Sequence, residues 1–155
     1  MSDDLTILPV GDADLDEWLD MGLALWPDND RDELRATFEE MLRTEKEEPF
    51  ICRDSNGVAV AFVNLSTRTD YVEGTVSSPV GYIEGIFVRP ELRGRGVGRT
   101  LVRFAEQWTK QKGYPQLASD AELHNVDSHR FHTAVGFREA GRNVTFVRDV
   151  DDGGH

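Results

Sequence analysis

A single cysteine, Cys52, stands in 155 residues, so no intramolecular disulfide can staple this chain, which suits the reducing cytoplasm. It lies in the strand-like run Phe50-Ile51-Cys52, which casts the thiol as a small buried side chain rather than a nucleophile. Long hydrophobic stretches are missing too. No apolar run approaches the roughly 20 residues that a membrane span needs. The opening Met1-Ser2-Asp3-Asp4 has neither the basic start nor the apolar core of a secretory leader, and none is expected. Positive charge is scarce: 17 Lys and Arg face 29 Asp and Glu, for a formal net charge of -12. Such a balance repels a nucleic-acid backbone and favours a cationic substrate.

The chain is long enough for one domain with a real core. A first strand is expected near Leu5 to Pro9, and Asp14-x-x-Glu17 has the spacing of a capping box. Leu15, Trp18, Leu19, Gly22, Leu25 and Trp26 recur at helical spacing until Pro27, and a second helix is expected over Asp32 to Thr44. Strands at Pro49 to Arg53 and Val58 to Thr67 flank the turn Asp54-Ser55-Asn56-Gly57. After a polar loop to Pro79 come a central strand, Val80 to Val88, and a long helix, Gly96 to Lys112. A short strand over Gln116 to Asp120, a helix over Asn125 to Val135 and a last strand over Val144 to Arg148 complete the series. The result is an α/β chain with helices on both faces of a mostly antiparallel sheet.

Against the acidic background, Arg93-Gly94-Arg95-Gly96-Val97-Gly98 stands out. It joins an apolar strand to an amphipathic helix, with Pro90 marking the turn. Glycine lets a backbone approach a phosphate with no Cβ between, and the first helical N–H groups lack intrahelical partners. The helix dipole adds positive potential there, and Arg93, Arg95 and Arg99 add mobile charge. The turn is not a P-loop, because Arg99-Thr100 follows Gly98 where Lys-Ser/Thr is required. Nor is it the dinucleotide fingerprint, which needs a third glycine that this chain lacks. The plain alternative is a solvated, arginine-rich loop at a helix start.

Taken as Arg93, Gly96 and Gly98, the turn resembles the R-x-x-G-x-G pyrophosphate motif of the GNAT acetyltransferases, which hold acetyl-coenzyme A. The element order resembles that family over nearly the whole chain. The resemblance implies the GNAT fold: a mixed, mostly antiparallel central sheet that splays apart at the cofactor site. It also implies a single acetyltransferase domain over residues 1–148; the acidic composition of 149–155 marks a solvated, disordered tail. The pantetheine arm would pair with the free edge at Ile86, Phe87 and Val88. The diphosphate would lie over Arg93, Gly94, Arg95, Gly96, Val97, Gly98 and Arg99. Asn125 and Ser128 resemble the polar pair that bonds the arm; as bare sequence they start a helix.

Longer strings narrow the likeness. Leu25-Trp26-Pro27, Asp70-Tyr71-Val72-Glu73-Gly74-Thr75, Ser77-Ser78-Pro79-Val80, Tyr82-Ile83-Glu84-Gly85-Ile86-Phe87-Val88, Ala118-Ser119-Asp120 and Gly136-Phe137 resemble the dimeric bacterial aminoglycoside 6'-N-acetyltransferases. That resemblance implies acetyl transfer from acetyl-coenzyme A to an aminoglycoside 6'-amine, by direct attack on the thioester, in a cytoplasmic homodimer. The rival readings are a GNAT enzyme for a polyamine, another metabolite amine or a protein amine, and a non-catalytic acyl-coenzyme A binder.

The chemistry needs a neutral amine, so a carboxylate beside it is useful both to hold the ammonium and to take its proton. Asp120, ending its strand at the cofactor gap, is the first candidate; as bare sequence it is a helix N-cap. Glu84 is the second, because an unpaired charge inside an apolar strand is costly. It either pairs with a basic side chain or faces substrate amines. Period-two alternation puts it on the face of Tyr82 and Ile86. Trp26, Tyr71 and Glu73 are expected to wall and anchor a cationic sugar, together with Glu84 and Asp120; Trp26 equally continues the apolar stripe of its helix. His132 stands where many family members carry the tyrosine that protonates the departing thiolate, so that role is open, and His132 is placed beside the pantetheine. His129 and His132 have i, i+3 spacing but no further convergent ligands, and no metal is expected.

Overall fold

The computed structural model describes residues 4–76 and 78–150. Ser77 and residues 151–155 of the expected tail lie outside the described residues. The chain divides into two compact units, one reaching Asp120 and one beginning at Ala121.

The first unit is built on one sheet in the order β1-β2-β3-β4-β5. Its strands are β1 (Thr6–Pro9), β2 (Glu47–Arg53), β3 (Ala59–Arg68), β4 (Val80–Val88) and β5 (Leu117–Ser119). The first four run antiparallel to their neighbours, and β5 joins β4 in parallel. The sheet is therefore mixed and mostly antiparallel, as expected. β4, however, neighbours the edge strand, and the middle place belongs to β3.

Helices α1 (Leu15–Leu25) and α2 (Arg31–Met41) cover one face and α3 (Val97–Gln111) the other. On the first face, Trp18 stacks on Phe38 with ring centroids 3.9 Å apart, and Phe62 stacks on Phe87 at 6.0 Å. Trp18 is fully buried, yet its indole N–H reaches the Asn64 side-chain oxygen of β3 at 3.1 Å. That bond ties α1 to the middle of the sheet without leaving a buried donor orphaned. On the other face α3 comes close enough to Gly81 that a Cβ there would stand 2.5 Å from the Thr109 hydroxyl. Cys52 is fully buried, and burial pushes its thiol up to about 11. Both facts suit a packing role and not a nucleophile.

The expected capping box at α1 does not form. Asp14 instead accepts from the Gly11 N–H at 2.8 Å and from Arg53 at 2.6 Å, and Glu17 takes the same guanidinium at 2.7 Å and 3.1 Å. Both carboxylates are drawn to a charged donor from β2, which outcompetes the neutral N–H groups of the helix start. At α2 the local rule holds: Asp30 accepts from the Glu33 N–H at 3.1 Å.

The second unit carries α4 (Val126–Ala134), closed by Gly136 at φ 102°. The expected strand over Val144 to Arg148 is not formed, and residues 138–150 carry no regular element. A strand needs a neighbour to complete its backbone hydrogen bonds, and among the described residues this unit holds no second strand. Val144, Phe146 and Val147 accordingly stand 69%, 92% and 94% exposed.

Candidate active site

The gap expected beside β4 has a local cause. The β3–β4 register passes from Asn64↔Gly85 to Leu65↔Ile83, so Glu84 is an extra residue on β4. A bulge of this kind bends its strand and sharpens the twist. Among the described residues, β5 pairs with β4 only at Gly81, Tyr82 and Ile83. Pairing ends where the bulge begins, and Gly85 to Val88 face the β5 side without a strand.

The bulge also corrects the alternation. Glu84 does share the face of Tyr82, since it bonds Ser66, which lies opposite Tyr82. Phe87 lies on that same side, in the core cluster with Phe62, so Ile86 between Gly85 and Phe87 falls on the other face. One inserted residue reverses every later side chain of the strand.

At the glycine turn, Gly94 and Gly96 have φ values of 80° and 87°. That left-handed conformation is open to glycine at little cost and is why both positions hold it. A Cβ on either would meet nothing within 4 Å, so open space lies beside both glycines. Gly96 is the N-cap of α3 and offers no side-chain cap, and Thr100 N–H makes the first backbone bond, to Gly96 O at 3.0 Å. A ligand anion is well suited to supply the missing cap. Arg95 and Arg99 are exposed on the turn. Arg93 is exposed too; its Nε donates to the Val88 carbonyl at 2.9 Å, and its guanidinium lies 5.5 Å from the Phe87 ring centre. It braces the turn against the end of β4.

The two candidate carboxylates, Glu84 and Asp120, belong to one chain of contacts. Glu84 accepts from Ser66 and, in a two-pronged grip, from Arg68 Nε at 2.9 Å and Nη2 at 2.7 Å. The same guanidinium lies 3.6 Å from the Tyr82 ring centre. Tyr82 Oη in turn donates to Asp120 Oδ2 at 2.5 Å. The Glu84 bond raises the Arg68 guanidinium still further above neutrality. Burial first, and then the Asp120 bond, push the Tyr82 phenol well above its ordinary range, so it stays a protonated donor at neutral pH. Of the two outcomes open for Glu84, this structure shows pairing with a basic side chain. Asp120 is exposed at the end of β5, and the N-cap of the next helix is Asn125, so Asp120 is not used as that cap.

Trp26 packs against the core cluster. It is half-buried, its ring meets Phe38 edge-on at 6.4 Å, and a Cβ built on Gly85 would stand 2.5 Å from its Cη2. Tyr71, 82% exposed, and Glu73, also exposed, lie on the loop from Arg68 to Val80. In the second unit, Asn125 caps α4 by accepting from the Ser128 N–H at 3.1 Å. His132 Nδ1 lies 2.7 Å from the Ser128 carbonyl, and His129 Nε2 lies 2.9 Å from the Glu122 carbonyl, so the two rings bond different turns. Among the described residues no group of three or more His, Cys, Asp or Glu is placed to hold a metal ion.

Sequence reasoning missed Arg68 and Tyr82. Tyr82 carried a signal, since alternation places it on the Glu84 face two residues away. Arg68 carried none, because only the β3–β4 register brings it to Glu84.

The family model described as acetyltransferase (GNAT) family matches residues 14–137. An aminoglycoside N(6')-acetyltransferase type 1 from Serratia marcescens is 40% identical over 134 residues, covering 86% of this chain and 91% of that protein. The crystal structure of the aminoglycoside 6'-N-acetyltransferase AAC(6')-Ih from Acinetobacter baumannii aligns with TM-score 0.88 and 35% identity, covering 96% of this chain and all (100%) of that one. The structure of AAC(6')-Iy with the bisubstrate analogue CoA-S-monomethyl-acetylneamine aligns with TM-score 0.87 and 35% identity, covering 95% and 99%.

Proposed function

Since the chain belongs to the GNAT acetyltransferase family, we propose that it moves the acetyl group of acetyl-coenzyme A to the 6'-amine of aminoglycosides. The observation that carries this reading is a glycine-opened start of α3 with no side-chain cap, together with a stretch of β4 that has no β5 partner among the described residues and begins beside Glu84. The turn at residues 93–99 takes the diphosphate on its backbone amides, with Arg95 and Arg99 adding charge. The free edge at Ile86 to Val88 offers its backbone to the pantetheine amides. Both act by positioning, which holds the thioester carbon within reach of the acceptor nitrogen.

Asp120 holds the substrate ammonium and accepts its proton, and the freed lone pair attacks the thioester carbonyl. The C–S bond breaks with its electron pair on sulfur, and the second proton of the attacking nitrogen passes to the departing thiolate or to water, leaving a neutral amide. A thiol pKa near ~8.5 makes that thiolate a fair leaving group, so the reaction does not depend on a dedicated acid. Glu84, gripped at both oxygens by Arg68, acts by fixing that guanidinium over the Tyr82 ring rather than by offering a free charge. Trp26, Tyr71 and Glu73 form the substrate wall, aromatic faces and a carboxylate suiting a cationic sugar.

A cytoplasmic homodimer completes the proposal. The exposed Val144, Phe146 and Val147 support it, because a second copy would cover apolar surface and satisfy extended backbone at once. Purified protein mixed with acetyl-coenzyme A and tobramycin should release free thiol, with the new acetyl group on the 6' nitrogen by NMR. Release with spermidine or peptides, but with no aminoglycoside, would overturn the substrate assignment.

A further inference from the structure

We propose that Tyr82 is a positioning residue for acetyl transfer, its buried phenol fixing the Asp120 carboxylate through Oδ2 and leaving Oδ1 to the acceptor amine. The inference rests on Asp120 being the group that takes the proton of the amine.

Asp120 lies exposed at the end of a three-residue strand, where a carboxylate has two side-chain torsions to wander through. Its Oδ1 has no hydrogen-bond partner among the described residues. The phenol that grips Oδ2 at 2.5 Å belongs to a residue only 5% exposed. Tyr82 is itself fixed from two directions. Its backbone sits opposite Ser66 of β3 and Ala118 of β5, next to the last rung before the gap. Its ring lies under the Arg68 guanidinium, which Glu84 holds with both carboxylate oxygens.

A phenylalanine would fill the same volume, and among the described residues the hydroxyl bonds Asp120 alone. Hydrogen bonds to an ionised acceptor are among the stronger ones, so this contact can hold an exposed carboxylate in one orientation. Positioning of that kind matters because a displacement near 1 Å at a reacting group can cost about 100-fold in rate. Glu84 and Arg68 then contribute by keeping the Tyr82 ring in place.

The test is a double-mutant cycle with tobramycin and acetyl-coenzyme A, comparing the parent, Tyr82→Phe, Asp120→Asn and the double variant. We expect Tyr82→Phe to lower kcat roughly 10- to 100-fold. The KM for acetyl-coenzyme A and the melting temperature should stay close to the parent. In the Asp120→Asn background the same change should have no further effect, which a role in packing alone would not produce. Equal fold-losses in both backgrounds, or an unchanged kcat for Tyr82→Phe beside an impaired Asp120→Asn, would overturn the inference while sparing the base. An unimpaired Asp120→Asn would bring down both.

Discussion

Trp26 lies so close to Gly85 that one added methyl group on the glycine would stand 2.5 Å and 2.7 Å from two ring carbons. The contact joins the end of α1 to the bulge that opens the gap. It also explains why glycine follows Glu84: the indole occupies the place of a side chain. Gly85→Ala must therefore push the ring aside. Overpacking of this kind costs about 1–3 kcal/mol. We expect a lower melting temperature and a rise in KM for the aminoglycoside that exceeds any rise for acetyl-coenzyme A, both read in one set of melting and steady-state assays.

Gly96→Ala tests the phosphate cradle. The αL conformation costs a non-glycine residue roughly 1–2 kcal/mol, and the new Cβ would project into the open space beside the glycine. Coenzyme A affinity measured by titration calorimetry should fall at least 10-fold, with kcat at saturation much less affected. Undiminished affinity would remove the turn from the binding site.

Asp120→Asn keeps the size and the hydrogen-bonding oxygen but loses the charge and the basicity. Turnover should fall by about 10²–10⁴, the usual contribution of a positioned base. Coenzyme A binding should change by a few-fold at most. A variant as fast as the parent at neutral pH would refute the assignment.

Arg53 pins α1 to β2 through Asp14 and Glu17, and its loss should destabilise the fold at neutral pH. Hydrogen bonds to charged groups suggest that Arg53→Gln costs about 1–3 kcal/mol. The Arg53 bond, above all, holds Glu17 below its ordinary range; for Asp14, burial pushes up but the Gly11 and Arg53 bonds outweigh it. Groups depressed in the folded state contribute stability above their unfolded values and lose it as pH falls through the folded ones. The gap between parent and variant melting temperatures should therefore be full near pH 7 and narrow below pH 4.5.

Glu47 behaves in the opposite sense. Burial, then the charges of Glu84 and Glu40, raise its carboxyl. A raised acid contributes stability below its unfolded value and loses it as pH rises through the folded one. Glu47→Gln should thus melt above the parent at pH 7–8 and level with it near pH 4. A lower melting temperature at neutral pH would show that the ionised form is stabilised by a contact.

What could be read from the sequence was local. The helical stripe from Leu15 to Trp26, the hairpin at Asp54 to Gly57 and the glycine stops at Gly113 and Gly136 need only neighbours in the chain. The capping box failed because Arg53 competes from 39 residues away in the chain. Val144 to Arg148 has the composition of a strand, but a strand is defined by the neighbour it bonds. Likewise the bulge is set by how β3 and β4 align, so Glu84 could be singled out while its Arg68 grip stayed hidden.

The short union of β4 with β5 has an outcome for the life of the protein in a cell. Among the described residues, three rungs of pairing leave the rest of that border without a strand neighbour, a ready template for any extended polypeptide that can reach it. An acetyl carrier lying along it would act as a detachable strand, shielding the border whenever the metabolite is plentiful. Starvation for the carrier would then threaten the enzyme twice, by idling it and by leaving it adhesive.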